Sequence, residues 1–296
     1  MGGGDNQAVS ASLRYFSLGE IQMTDGAGTV VNSVNPYEMA FDLGYSRKLS
    51  ESFSMGVALR YTYSDLAFSD AYSAEQQKGA SAFAADISGF LTTYPVVGRN
   101  ECQWSWGFNI SNIGSKVSYN DGNDPAFLPT NFRLGTTFTF PVAQYNNIAL
   151  SLDANKLLVP TRPRQSDFTD AEGNYDQEAY ESKLEDWRNT SSISGIFKSF
   201  SDAPGGFKEE LKEITLSVGA EYNYNQQFFV RTGYFYENAM KGNRQYFSFG
   251  AGFSLNVVQL DAAYMIATAQ NSPLDQTLRF SLTFDMDGLK HLLGKK

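Results

Sequence analysis

The feature that most constrains this chain is a period-two alternation of apolar and polar residues. Leu278, Phe280, Leu282, Phe284 and Met286 fall on one face, with Arg279, Ser281, Thr283 and Asp285 on the other. Phe247, Phe249, Ala251, Phe253 and Leu255 alternate in the same way with Ser248, Gly250, Gly252 and Ser254. The same pattern runs through 37–46, 53–64, 103–111 and 214–224. Successive side chains of a strand point to opposite faces, so each segment reads as a strand with one apolar and one polar face.

Roughly twelve such segments can be counted, most about ten residues long, which is the length of a tilted strand crossing a bilayer. They fall near 7–22, 36–47, 53–67, 80–94, 103–119, 130–141, 147–159, 213–225, 228–238, 244–256, 257–268 and 276–286. Short connections (Arg47–Glu51, Gly98–Glu101, Val142–Asn146, Asn225–Gln227, Asn256) alternate with long ones (Asp25–Asn35, Ala67–Lys78, Asn120–Pro129, Thr161–Lys212, Asn238–Asn243, Ala269–Asp275). Bacterial barrels alternate short periplasmic turns with longer extracellular loops in this way. The expected fold is therefore all-β, a transmembrane antiparallel β-barrel in the outer membrane, with loops at the cell surface and both termini periplasmic. Composition agrees. Charged residues make up 19%, aromatics 15%, and the mean hydropathy is −0.33. No run approaches the ~18 consecutive apolar residues of a membrane helix.

Other function classes find little support. A net charge of −9 and a pI near 4.7 argue against nucleic acid. One cysteine, Cys102, and one histidine, His291, cannot build a His/Cys metal site. A serine triad would need His291, which lies in the tail beyond the last strand. Gly26-Ala27-Gly28 sits in a loop rather than opening a helix, so it is not a nucleotide cradle. No catalytic residue, metal or cofactor is expected, and the chain reads as non-enzymatic.

Two features invite a functional reading. The connection 161–212 is far longer than ordinary loops. Tyr180, Leu184 and Trp187 have helical spacing within Asp176–Arg188, and helical pieces are also expected at Ile193–Phe200 and Phe207–Leu211. This partly helical extracellular insertion is either a lid or a partner-binding element. The second feature is a lumen-facing charge set: Arg14, Arg60, Arg133, Arg231 and Arg279 with Glu38, Asp42, Asp86, Asp153, Glu221, Glu237, Asp261 and Asp285. Charges at membrane depth must pair or meet water. The two readings are a mutually paired interior and a wet polar path.

Several stretches carry a family resemblance. Arg231-Thr232-Gly233-Tyr234-Phe235-Tyr236-Glu237, Lys241 to Phe247, Gly250-Ala251-Gly252-Phe253, Ser272-Pro273-Leu274 and Thr277 to Leu282 are the most specific. Ser12 to Gly19 and Ser111-Asn112-Ile113-Gly114 are looser parts of the same pattern. Together they resemble the PorV proteins of the type IX secretion system, from about Asn6 to about Asp287. That family is similar to FadL-type outer-membrane transporters. The resemblance implies fourteen strands and an N-terminal plug segment, so about twelve strands of an expected fourteen are present and the chain reads as lacking an N-terminal part. Residues 1–4 are read as a linker or added sequence, 5–287 as the barrel with its insertion, and 288–296 as a periplasmic tail.

The resemblance also implies a function. The protein would be a non-enzymatic shuttle that binds the C-terminal signal domain of secreted cargo at the translocon and delivers it to a PorU-type sortase, in contact with lipid and lipopolysaccharide. The alternative is a FadL-like channel for hydrophobic small molecules. Cargo contact is expected on extracellular loops, with Trp187, Phe197, Phe200, Asn238, Lys241, Asn243, Arg244, Asn271 and Leu274 as candidates. Each aromatic of the insertion could equally pack it against its own barrel, and Lys241 and Arg244 could equally meet lipopolysaccharide phosphates or water.

Overall fold

The computed structural model describes residues 6–65, 79–119, 125–170, 172–268, 272, 274–286, 288 and 294. Sixteen strands occur among them. In chain order they are β1 (Gln7–Ser17), β2 (Ile21–Thr24), β3 (Val30–Val34), β4 (Tyr37–Lys48), β5 (Phe53–Asp65), β6 (Ala80–Thr93), β7 (Val96–Val97) and β8 (Asn100–Glu101). There follow β9 (Gln103–Gly114), β10 (Asn131–Ala143), β11 (Asn146–Leu157), β12 (Ile214–Tyr224), β13 (Phe228–Tyr236), β14 (Tyr246–Leu255), β15 (Val258–Ala267) and β16 (Leu278–Phe284). Three helices, α1 (Gln177–Asn189), α2 (Ser192–Lys198) and α3 (Phe207–Lys212), lie between β11 and β12. None is long and apolar enough to cross a membrane.

Twelve strands form one sheet in the order β1-β4-β5-β6-β9-β10-β11-β12-β13-β14-β15-β16. This is the up-and-down antiparallel sheet of the β-barrel class, and its strands are those read from the alternation. The end strands β1 and β16 are exposed along their whole length. Two compact units divide the chain: Met1–Gly89 with Asn109–Phe132 and Leu157–Glu210, and Phe90–Phe108 with Arg133–Lys156 and Leu211–Lys296.

The burial pattern is inverted relative to a water-soluble sheet. On β4, Phe41, Leu43 and Tyr45 are exposed while Asp42 is 9% exposed. On β5, Val57 and Leu59 are exposed while Ser64 is buried. On β14, Phe247, Phe249, Phe253 and Leu255 are exposed, and the opposite face is serine and glycine. A sheet that shows its large apolar side chains outward and shelters carboxylates and hydroxyls suits hydrocarbon on one side and a polar interior on the other.

The register decides which polar residues meet. Asp42 sits directly opposite Arg60, with Ser12 opposite Asp42 on the other flank. Glu221 sits opposite Arg231, and Arg231 opposite Gly250. Gly252 faces Asp261, and a Cβ at Gly252 would lie 2.3 Å from an Asp261 carboxylate oxygen. The glycine leaves the space that lets Asp261 reach Arg231.

Three connections differ from the sequence reading. The first segment does not continue to 22. Gly19 adopts a left-handed φ of +76°, and β2 and β3 then form their own two-stranded sheet within the expected loop. The turn before Gln103 contains the small β7–β8 hairpin around Gly98, and Cys102 is buried beside it as a free thiol. The segment read as a strand to 119 leaves the sheet after Gly114. Asn112 has a φ of +60°, and a Cβ at Gly114 would press on the Phe83 carbonyl at 2.2 Å. Beyond it, Val117 pairs with Ala126 in an isolated antiparallel bridge outside the sheet.

The geometry around Arg60 yields a stability prediction. Replacing Arg60 by Met leaves Asp42 and Asp86 sheltered without their shared cation and should cost about 3–5 kcal/mol. Adding Asp42→Asn and Asp86→Asn should recover most of that loss. Denaturant unfolding in detergent micelles, followed by the heat-dependent gel shift of folded barrels, measures both; an Arg60→Met protein as stable as the parent would contradict the assignment.

Candidate functional site

The polar face carries its charges in clusters. In the first unit, Arg60 Nε donates to Asp42 Oδ1 at 2.5 Å, and Arg60 Nη2 donates to Asp86 Oδ2 at 2.9 Å. Arg14 reaches Asp42 at 3.3 Å, and Ser12 donates to the same carboxylate at 2.8 Å. Arg60 also donates to the Asn112 side-chain oxygen, while the Asn112 backbone N–H donates to Asp86 at 2.8 Å. The left-handed backbone of Asn112 thus serves the ion cluster directly. In the second unit, Arg231 donates to Glu221 and to Asp261, each at 2.6 Å, and Gln259 donates to Asp261 at 2.8 Å.

The other charges expected in the lumen are placed differently. Arg133 donates to the Asn155 side-chain oxygen at 2.6 Å rather than to Asp153. Among the described residues, no ion pair holds Asp153 or Arg279, and Arg279 lies on the exposed end strand β16. Asp285 follows that strand and has a partner of its own. Glu237 lies one residue past the end of β13 at Tyr236, is buried, and accepts from Arg244 Nη2 at 2.6 Å, Arg244 Nε at 2.8 Å and the Arg244 backbone N–H at 3.0 Å. The partners Ser12, Asn112, Asn155 and Gln259 were not singled out from the sequence. Short polar side chains recur on every polar face, and only register shows which of them meet a charge.

A second arrangement joins Lys116 and Phe127, on either side of the Val117–Ala126 bridge, to the long insertion. Lys116 Nζ donates to the Arg188 carbonyl at 2.6 Å, at the C-terminal end of α1, where a cation complements the helix dipole. The same ammonium stands 4.2 Å from the centre of the Phe127 ring, and burial pushes it below its usual pKa. Phe127 meets Trp187 edge-on at 5.1 Å between ring centres. Trp187 Nε1 donates to the Pro160 carbonyl at 2.9 Å, with the Arg162 guanidinium 5.5 Å from the ring. Gly195 of α2 seats against Phe127 and Pro160, where a Cβ would come within 3.0 to 3.1 Å.

The expected cargo residues therefore have distinct settings. Trp187 is half-buried in this joint. Phe197 is 73% and Phe200 51% exposed, on the side of α2 away from the buried Gly195 and Ser199. Asn238 accepts from the Met240 N–H at 3.0 Å and caps a 3-10 turn, Ala239–Lys241. Lys241 donates to Glu213 at 3.0 Å, and Lys156 donates to the same carboxylate at 2.6 Å. Asn243 has a φ of +56°, and its side-chain oxygen accepts from Gln245 at 3.4 Å. Arg244 holds Glu237. Leu274 is half-buried after a Ser272-supported turn, and Asn271 lies outside the described residues. Met240, 78% exposed, is the apolar tip of the 237–244 loop. Among the described residues, no cluster of His, Cys, Asp or Glu could hold a metal ion.

The loop has a calculable response to acid. The hydrogen bonds from Arg244 hold the Glu237 carboxyl below the usual glutamate range, against a smaller opposing effect of burial. A group whose folded pKa is lowered contributes stability above its unfolded value and loses it as pH falls through the folded value. Protection of the amides at 238–243, taken relative to the intrinsic exchange rate at each pH, should hold above about pH 4.5 and fall on further acidification. Glu237→Gln should show low protection at every pH; an acid loss of protection unchanged by that substitution would contradict this assignment.

Comparison with known proteins follows this geometry. Two crystal structures of the Pseudomonas putida toluene transporter TodX resemble the fold. One has a TM-score of 0.47 at 10% identity, covering 95% of this chain and 77% of that one. The other has a TM-score of 0.46 at 10% identity, covering 95% and 78%. No curated protein sequence matches the chain. The family described as "Type IX secretion system protein PorV" matches residues 4–164. That range contains Ser12 to Gly19 and Ser111 to Gly114 and ends where the long insertion begins, short of the C-terminal motifs that carried the stronger resemblance. The match spans more than half of the 296 residues, and the chain belongs to the PorV family of type IX secretion system proteins.

Proposed function

We propose that this chain, an outer-membrane component of the type IX secretion system by its family, is the non-enzymatic cargo shuttle of that system. It would bind the C-terminal signal domain of secreted proteins at its extracellular end and pass them to a PorU-type sortase. The observation that carries this reading is the exposed apolar surface of the insertion, mostly aromatic. Ile193, Phe197 and Phe200 on and after α2 are 56%, 73% and 51% exposed, and Phe207 at the start of α3 is 75% exposed. Exposed aromatic groups on a fixed support are the usual anchors of a binding surface.

The support is well fixed. Asp176 caps α1 by accepting from the Ala179 N–H, and Ser191 caps α2 by accepting from the Ser194 N–H. Asp202 accepts from the Thr161 backbone N–H at 2.8 Å and ties the two ends of the α1–α2 region together. The aromatics are thus held ready, which limits the ordering entropy lost on binding. The loop 237–244 offers a second apolar tip, Met240, for the same class of partner.

A pull-down with a purified type IX signal domain tests the shuttle. The detergent-solubilised protein should retain the domain. Ile193→Ser, Phe197→Ser and Phe207→Ser together should weaken retention at least about ten-fold, as expected for loss of central anchors. Deletion of 162–211 should abolish it, with the barrel's heat-dependent gel shift intact. A folded protein that retains no signal domain would sink the shuttle and favour a channel for hydrophobic small molecules.

A further inference from the structure

Residues of 115–119 and 126–129 border a cavity of about 480 Å³ on the polar face of β1, β4 and β5. The register explains why a hollow forms there. Three rows cross these strands: Phe16 with Glu38 and Ser64, Arg14 with Ala40 and Thr62, and Ser12 with Asp42 and Arg60. The middle row is small beyond Arg14, so Ala40 and Thr62 form a trough between bulkier rows. Val117, Phe127, Leu128 and Pro129 supply an apolar wall on the facing side.

The charges around the trough do not cancel. Arg14 and Arg60 are matched by Asp42 and Asp86 within the cluster already described. Glu38 stands outside that balance. Its carboxylate accepts from Ser64 Oγ at 2.9 Å, and Tyr119 Oη donates to Ser64 Oγ at 2.9 Å. Among the described residues, no cation is paired with it. Glu38 is itself exposed, so its carboxylate is open to an incoming cation at the edge of the apolar walls. The rings of Phe16, Tyr119 and Phe127 line the same space and favour a cation further.

We infer that this cavity binds an alkylammonium or alkylguanidinium group, with the charged end at Glu38 and the methylene chain against Phe127 and Leu128. An anion would meet Glu38 unfavourably and find Arg14 already engaged by Asp42. A neutral hydrocarbon would fill the apolar side and leave Glu38 unpaired. The same chemistry is offered by a lysine or arginine side chain of a protein partner and by a free amphiphilic amine. The site stands on its own residues and does not rest on the shuttle reading.

Dansylcadaverine, a fluorescent primary amine, tests the site on the full-length protein in detergent. Its N-pentyl dansylamide counterpart has the same chain without the ammonium. The amine should bind at least about ten-fold tighter than the neutral probe, the scale of one charge-assisted hydrogen bond. Glu38→Gln should erase that preference. Arg14→Ala should strengthen amine binding by removing a nearby like charge, and Phe127→Ala should weaken both probes. Competition by a lysine hexapeptide but not its norleucine counterpart would assign the site to a protein partner; competition by hexylamine alone would assign it to a small amine. Equal binding of the two probes, or a preference that survives Glu38→Gln in a folded barrel, would overturn the inference.

Discussion

The structure depends on one constraint: a sheet that turns its apolar side chains outward must hold its sheltered charges together on the other side. Antiparallel pairing links its twelve strands from β1 to β16. The two main ion clusters are set by register, which places Asp42 against Arg60 and Glu221 against Arg231. Each arginine then reaches a second carboxylate on a further strand, Asp86 for Arg60 and Asp261 for Arg231. A planar guanidinium suits this role because its fork of donors bridges two carboxylates at once. Two physical details make room for these bridges: the small side of Gly252 and the left-handed turn of the backbone at Asn112.

The same left-handed turn directs the chain away from the sheet. After Gly114 the residues around the Val117–Ala126 bridge border the cavity on one side and hold the insertion on the other. Tyr119 reaches the Ser64–Glu38 pair beneath it, while Lys116 and Phe127 hold Arg188 and Trp187. One short segment is therefore in contact both with the floor of the cavity and with the support of the exposed aromatic surface. An occupant of the cavity would press on the segment that carries the insertion.

Much of this was legible in the alternation. The twelve strands of the large sheet follow the period-two pattern because lipid on one side and polar groups on the other leave each position little choice. The three helices were expected from the spacing within the long insertion. The alternation misled where it continued past the end of a strand. Ser115, Val117 and Tyr119 extend the pattern of β9, and Glu237 extends that of β13, yet in both places the chain has already left the sheet. Strands as short as β7 and β8 carry too few residues to show a period. Partners such as Asn112 and Asn155 were hidden because their roles depend on which strands lie side by side, which no local window records. The family was legible too, although its strongest support came from the N-terminal half rather than from the C-terminal motifs.

The central claim is that the outward face meets lipid and the opposite face meets water. Single cysteines placed in turn at positions 39 to 45 of β4, in a Cys102→Ser background and a reconstituted bilayer, test it most directly. A membrane-impermeant maleimide should label positions 40, 42 and 44 and leave 39, 41, 43 and 45 to a lipid-soluble reagent. Uniform labelling by the water-soluble reagent, or the opposite phase, would contradict the account.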